Sequence, residues 1–388
     1  MVVNKAAIIG TGLTKTATKR REVTHPDITY EAVTAALNDA GITLKDVDAV
    51  VYGCMDPFDG VEAPDRWDAD STGAPLGKPY MKISTGGTTG GSAAQAGYYH
   101  AASGLFDVVL VVCCQRVGEC EDAQLVLNTA VDPIYERETG AGAITVAALQ
   151  GAAHMAKYGT KMEHFAMVAA KNHENAFNNP NAHLHLHMAV KDVMNSGVIS
   201  WPLTLYMCCP RSDGAAAVIF ASEKKAKQLC KEPAWVKGAG SISDAYSMGE
   251  HPDFADWDTL EILGRRVYRK AKISNPLKDF QVAELYEAFA CQEVLEYEAL
   301  RFCGKGEGGS LVESGLTSMK GDLPVDPSGG VQATNPIGAT GLIRVAEAAR
   351  QVMGKAGQMQ VSNVQTALAH AWGGAVSLHT MMILSRTP

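Results

Sequence analysis

Short continuous apolar runs alternate with helix-like stretches along the first 114 residues, and the alternation returns near residue 213. Ala6–Gly10 reads as a buried strand ending in a glycine turn. Asp27–Ala40 reads as a helix with Asp27 or Thr29 as its cap. Asp48–Tyr52 is a second strand, Ser92–Ser103 a helix rich in small residues, Phe106–Cys113 a continuous apolar strand and Asp213–Phe220 another. Apolar strands separated by helices predict a sheet covered on both faces.

The order then repeats. Ala234–Gly240 mirrors the opening strand. Residues 36–50 and 269–283 both pass from helix through a Leu-Lys-Asp turn into a strand. Late in each part a strand contains or follows small residues: Asp213–Phe220 first, then Gly373–Leu384. A repeat of this kind predicts a duplicated α/β unit. The expected organisation is a first half over 1–114 completed by 211–228, an inserted lid or binding subdomain over 115–210, and a second half over 229–388. The insertion shows no clear alternation, as expected of an inserted loop or lid.

Composition narrows the class. The 388 residues carry a net charge of −8, against a nucleic-acid binder. Nine cysteines without a C-x-x-C pair suggest neither a disulfide framework nor a zinc ribbon; they fit free thiols in a reducing cytoplasm, and no metal is expected in this chain. No apolar run approaches the roughly 20 residues that span a membrane, and the first residues lack a signal-peptide pattern. Glycine pairs at 86–87, 90–91, 329–330 and 373–374 are compatible with one crowded site, because glycine lets backbone approach a ligand closely. The basic run Arg265–Lys270 is either a solvated helix face or a phosphate-binding edge for a CoA-type ligand.

Gly329–Arg344, GGVQATNPIGATGLIR, resembles the thiolase signature GG-x-x-A-x-GHP-x-GA-[ST]-G-x-R. Together with Met207–Ala217 (MCCPRSDGAAA) and His370–Gly374 (HAWGG), it is similar to the archaeal and lipid-transfer-type thiolase branch. The resemblance covers essentially the whole chain. It implies a layered α-β-α-β-α fold, acyl-CoA chemistry with coenzyme A as substrate, a homodimeric core and pairing with a small zinc-ribbon/OB-fold (DUF35-type) subunit.

Four positions depart from the family pattern or vary within it. The nucleophilic cysteine slot falls on Gly87. The Asn of the NEAF motif is Tyr286, whose hydroxyl can donate to an oxyanion or simply fill the space of Asn and its water. The catalytic His of GHP is Asn335, which can donate a hydrogen bond but takes no proton near neutral pH. His370 matches the second His of the branch and is the expected proton-transfer residue. Cys291, just past the altered motif, is either a buried apolar residue or a relocated nucleophile paired with His370. The ligand is expected against Gly86, Gly87, Thr88, Gly338, Gly373 and Gly374, with Arg266 at its phosphates. His183, His185 and His187 alternate as zinc ligands on a strand could. Cys113–Cys114 and Cys208–Cys209 have packing as the default.

Three functions follow from the resemblance. The first is CoA-dependent thiolysis of a bulky β-oxoacyl-CoA, with benzoylsuccinyl-CoA as the candidate. The second is retro-aldol cleavage of a β-hydroxyacyl-CoA, which needs no nucleophile. The third is a non-catalytic thiolase-like subunit.

Overall fold

The computed structural model describes residues 4–388. Its strands are β1 (Ala6–Leu13), β2 (Ala49–Gly53), β3 (Tyr80–Ile83), β4 (Val108–Arg116), a hairpin of β5 (Val198–Ser200) and β6 (Leu203–Thr204), β7 (Asp213–Ser222), β8 (Ala234–Ser243), β9 (Val282–Glu284), β10 (Thr366–Gly373) and β11 (Leu378–Ser385). All but the hairpin join one mixed sheet of order β3-β2-β4-β7-β1-β8-β11-β10-β9.

The duplication is visible in the pairings. From β1 outward the ladders run antiparallel to β7, antiparallel to β4 and parallel to β2. From β8 outward they run antiparallel to β11, antiparallel to β10 and parallel to β9. Among the described residues the two half-sheets pair through Ala7–Trp235 and Ile8–Ala234. The two Leu-Lys-Asp turns are built alike: Asp46 accepts from the amide of Thr43 at 2.9 Å, and Asp279 from that of Asn275 at 2.8 Å.

Helices Thr89–Ala102 and Ile337–Met353 form the middle layer and pack on each other and on strands of both halves. Small residues make that crossing close: a Cβ on Gly341 would meet the backbone nitrogen of Gly91 at 2.5 Å. Helix His25–Ala40 covers the outer face of the first half, and helix Asp258–Ala271 that of the second. The layers are therefore α-β-α-β-α, as the resemblance implies.

Local details differ from the sequence reading. The first helix begins at His25 and is capped by Thr24; Asp27 is its third residue and accepts from the Thr24 amide at 2.8 Å. β1 does not turn at Gly10 but runs on to Leu13. Gly10 and Gly12 serve close packing: a Cβ on Gly10 would meet Ala36 O at 2.6 Å, in the helix above. The insertion has regular elements of its own beside long loops. It contains helices Ala143–Tyr158 and Met162–Ala176, the second with Asn172, His173 and Asn175 buried. Those buried polar residues blur the apolar periodicity on which a helix reading depends.

Candidate functional site

The two half-sheets and the inserted helices enclose an open cleft of about 1120 Å³, mouth included. Met55 and Phe58 from the stretch after β2, Val117, Ile144, Ile337 and Val376 make most of its walls apolar. The polar groups at its floor are Tyr286, Asn335, Cys209 and Gln292, with Arg211 toward the mouth.

Two glycine pairs meet at this floor. Gly86–Gly87 lies on the loop before helix Thr89–Ala102, and Gly373–Gly374 ends β10. A Cβ on Gly373 would lie 2.6 Å from the nitrogen of Thr88 and 2.8 Å from that of Gly87. A Cβ on Gly87 would lie 2.9 Å from the carbonyl oxygen of Trp372, 3.3 Å from Gly373 Cα and 3.7 Å from the Tyr286 hydroxyl. The expected cysteine slot is thus closed by β10 backbone and faced by a phenol.

The β9 segment and the Gly329–Arg344 stretch hold Tyr286 in place. Glu287, beside it, accepts from the amides of Val331 at 2.6 Å and Gln332 at 3.2 Å, and occupies space that a side chain on Gly330 would take. Arg344 binds Glu284 and Ser328 at 2.7 and 2.9 Å, wholly buried, and ties the end of the signature to β9. The Tyr286 ring stands edge-on to Trp372, 5.5 Å between centroids. Its hydroxyl makes one long bond, 3.4 Å to Ile337 O. Burial first, then the neighbouring Cys209 thiol, raises its pKa, so the phenol keeps its proton.

Asn335 lines the cleft with its amide engaged at both ends: the Thr340 hydroxyl donates to Oδ1 at 2.8 Å, and Nδ2 donates to Cys209 Sγ at 3.1 Å. Burial pushes the Cys209 thiol up to about 12, against the pull of the Asn335 amide. Cys209 is the residue that sequence reasoning missed. Its signal was the MCCPRSDG motif, where it counted only as packing. Trp372 and Arg211 were overlooked in the same way, although each stands inside a quoted motif.

Several expected site residues lie elsewhere. His370 is buried beneath the cleft, with Nδ1 2.9 Å from Glu296 and Nε2 3.2 Å from His379. Burial, then His379, holds it well below the ordinary histidine range, while burial raises Glu296. A protonated Glu296 donating to a neutral His370, which donates to His379, satisfies the chain. His370, expected as the proton-transfer residue, thus stands off the cleft lining with both ring nitrogens engaged in the core.

Cys291 is corrected from nucleophile to core residue: it is fully buried, its thiol donates to Ala147 O at 3.3 Å, and burial pushes its pKa up. Arg266 is exposed on the outer face of helix Asp258–Ala271, so the basic run is a solvated face away from the cleft. Gly338 packs against Gln115 and Met55 behind the cleft wall, and Thr88 points its hydroxyl at Thr85 O, 2.6 Å away. The three alternating histidines separate: His183 bonds Ser212 and Thr18, His185 bonds Asn179 O, and His187 bonds Glu174. Cys113 and Cys114 face opposite sides of the sheet, in different cores.

Comparison with known proteins gives a consistent set of likenesses. Residues 3–190 match the profile of the thiolase N-terminal domain, and residues 240–386 that of the thiolase C-terminal domain-like family. The acetyl-CoA acetyltransferase of Methanothermobacter thermautotrophicus is 34% identical over 384 residues, covering 98% of this chain and 99% of that protein. Sterol carrier protein 2 of Oryctolagus cuniculus is 32% identical, covering 96% and 71% respectively. Among solved structures, the Ltp2-ChsH2(DUF35) aldolase superposes with a TM-score of 0.84 at 25% identity, covering 100% of this chain and 99% of that one. A monomeric SCP2-thiolase like protein type 1 from Mycobacterium smegmatis gives 0.76 at 19% identity, covering 99% and 77%.

Proposed function

The chain belongs to the thiolase family, and from that premise we propose that it breaks a carbon–carbon bond of an acyl-CoA without a cysteine nucleophile, by retro-aldol cleavage of a β-hydroxyacyl-CoA. One observation carries this reading. The place of the thiolase cysteine is closed by Trp372 O, and the hydroxyl facing it belongs to Tyr286. Thiolysis through an acyl-enzyme needs a thiol at that place; aldol cleavage needs only hydrogen-bond donors around an enolate and a path for one proton.

In the proposed reaction the Cα–Cβ bond breaks and its electron pair moves into the thioester as an enolate. The β-oxygen becomes a carbonyl and gives up its proton. A hydroxyl both accepts and donates, so Tyr286 receives that proton while passing its own to Cα, with no net ionisation of the buried phenol. The free hydrogen on Asn335 Nδ2 serves as an oxyanion donor. The backbone about Gly86, Gly87, Gly373 and Gly374 leaves room for the thioester, and Arg211 at the mouth suits CoA phosphates.

The structural likeness to an aldolase that includes a DUF35 chain supports the same reading and a small DUF35-type partner for this protein. The exposed hairpin residues Val198, Ile199 and Trp201 give such a partner an apolar footing, and edge strand β3 with exposed Met81 suits a homodimer.

A second reading is thiolysis in which CoA itself attacks the β-keto carbon of a bulky substrate such as benzoylsuccinyl-CoA. It is favoured by the relatives named acetyl-CoA acetyltransferase. CoA dependence separates the two. The protein, alone and with a DUF35-type subunit, is incubated with a β-hydroxyacyl-CoA and with a β-oxoacyl-CoA, with and without free CoA. A carbonyl compound plus an acyl-CoA formed without free CoA supports the aldolase. Two acyl-CoA products that require CoA support the thiolase instead. No cleavage of either substrate in either assembly rejects both and leaves a non-catalytic subunit.

A further inference from the structure

Directly behind the cleft wall lies a buried group of nitrogen, sulfur and oxygen donors that the proposed reaction does not use. His25 opens the first helix, Cys54 follows β2, Asp59 ends the short helix Asp56–Asp59, and Cys114 sits on β4. His25 Nε2, Cys54 Sγ and an Asp59 carboxylate oxygen lie within 4.8 Å of one another; His25, Asp68 and Cys114 form a second such group about the same imidazole. Asp59 Oδ2 is 3.3 Å from Cys54 Sγ and 3.8 Å from His25 Nε2. Donor atoms around a tetrahedral zinc, with bonds of about 2.0–2.3 Å, stand roughly 3.3–3.8 Å apart.

Two features make this more than a crowded core. His25 Nε2 is buried and has no hydrogen-bond partner among the described residues. The other ring nitrogen, Nδ1, is held at 2.9 Å by Asp68, whose Oδ2 also accepts from Thr29 at 2.6 Å and Tyr52 at 2.5 Å. A carboxylate fixing one imidazole nitrogen while the other faces thiol and carboxylate is the outer-sphere arrangement of a metal-binding histidine. Asp59 is likewise oriented by Gln115 Nε2 at 2.7 Å and the Arg116 amide at 3.3 Å.

We propose that His25, Cys54 and Asp59 bind a zinc ion. The donor set of imidazole, thiolate and carboxylate selects zinc over magnesium or calcium. Binding releases the Cys54 proton and leaves the imidazole neutral. The ion is structural: it fastens the 54–59 stretch, which carries Met55 and Phe58 into the cleft, onto the first helix. Sequence spacing hid it, because the ligands stand at 25, 54 and 59, with no C-x-x-C pair.

The test measures metal on the whole protein. Elemental analysis of protein purified from zinc-supplemented cells is expected to give about one zinc per chain. Cobalt exchanged into wild-type protein is expected to give a thiolate-to-cobalt charge-transfer band and the strong visible bands of a tetrahedral site. Cys54→Ser and Asp59→Asn, checked for folding by circular dichroism, are expected to lose most of the metal, and Cys291→Ser to keep it. Absence of both zinc and the thiolate–cobalt band in the wild type overturns the proposal and leaves His25 as an imidazolium paired with Asp68 and Asp59. Metal content unchanged in both folded variants overturns it equally, and the wild-type spectrum alone decides the matter if the variants do not fold.

Discussion

Gly87→Cys puts back the residue type that ordinary thiolases hold at this place, and the structure predicts that it restores nothing. Its Cβ would sit 2.9 Å from Trp372 O and 3.3 Å from Gly373 Cα. Both belong to the end of β10, where Trp372 and Gly373 pair with His379 and Leu378 of β11. Backbone fixed in that ladder resists retreating by the several tenths of an ångström required. Overpacking of this kind costs about 1–3 kcal/mol. A cost of that size lowers the melting temperature by about 2–4 °C per kcal/mol for domains of 150–250 residues, and by less in a chain this long. Gly87→Ala isolates the Cβ contribution and is expected to destabilise to a similar degree. The assay pairs thermal melts of both variants with intact mass after incubation with acetyl-CoA and a β-oxoacyl-CoA. The expected result is two destabilised proteins and no acyl adduct on the introduced thiol. A Gly87→Cys protein that melts within a degree of the wild type and accumulates an acyl adduct refutes the closed slot and the proposed chemistry built on it.

Tyr286→Phe keeps the ring on Trp372 and removes the hydroxyl. With the proton relay to Cα removed, turnover falls by about 10²–10⁴, while stability changes by no more than about 1 kcal/mol because the lost bond is a 3.4 Å contact; turnover within a few-fold of wild type removes Tyr286 from the mechanism. Stability should also depend on pH through the buried imidazoles. His379 is pushed down to about 3 by burial, below the ordinary 6.5, and His370 moves the same way. The unfolded chain therefore takes up these protons first, so their contribution is full above pH 6.5 and is lost as pH falls toward 3, at about 1.4 kcal/mol per pH unit for each group. Burial raises Glu287 to about 8, whose contribution is lost in the other direction, as pH rises from the ordinary carboxylate value through 8. The two slopes oppose one another in the wild type, so the comparison is with His379→Gln: its melting temperature should fall less steeply between pH 6.5 and 4.5, and an unchanged slope contradicts the buried neutral pair.

The fold was legible because its evidence is local and repeated: strand, helix and Leu-Lys-Asp turn recur, and each recurrence has the same pairing pattern in space. The candidate site was legible only where a motif residue also stands at the right depth. His370 and Trp372 lie two residues apart on β10 and share a face, yet two residues of strand rise about 6.6 Å. Trp372, beside Gly373 at the strand's end, reaches the cleft; His370 is one step deeper and meets Glu296 instead. Cys291 and Gln292 differ by one helical position, about 100° of rotation, so Gln292 lines the cleft while Cys291 faces Ala147. Motif agreement fixes which residue occupies a place in the pattern, not how far along a strand or around a helix its side chain sits. The same limit explains Tyr286. Its value to the chemistry depends on Gly87 lying against Trp372 O, a contact between residues 285 positions apart in sequence. A glycine in place of the nucleophile looks like a loss when read along the chain. Seen in space, it is what lets β10 and a phenol occupy the site, and the proposed chemistry without a covalent intermediate rests on that arrangement.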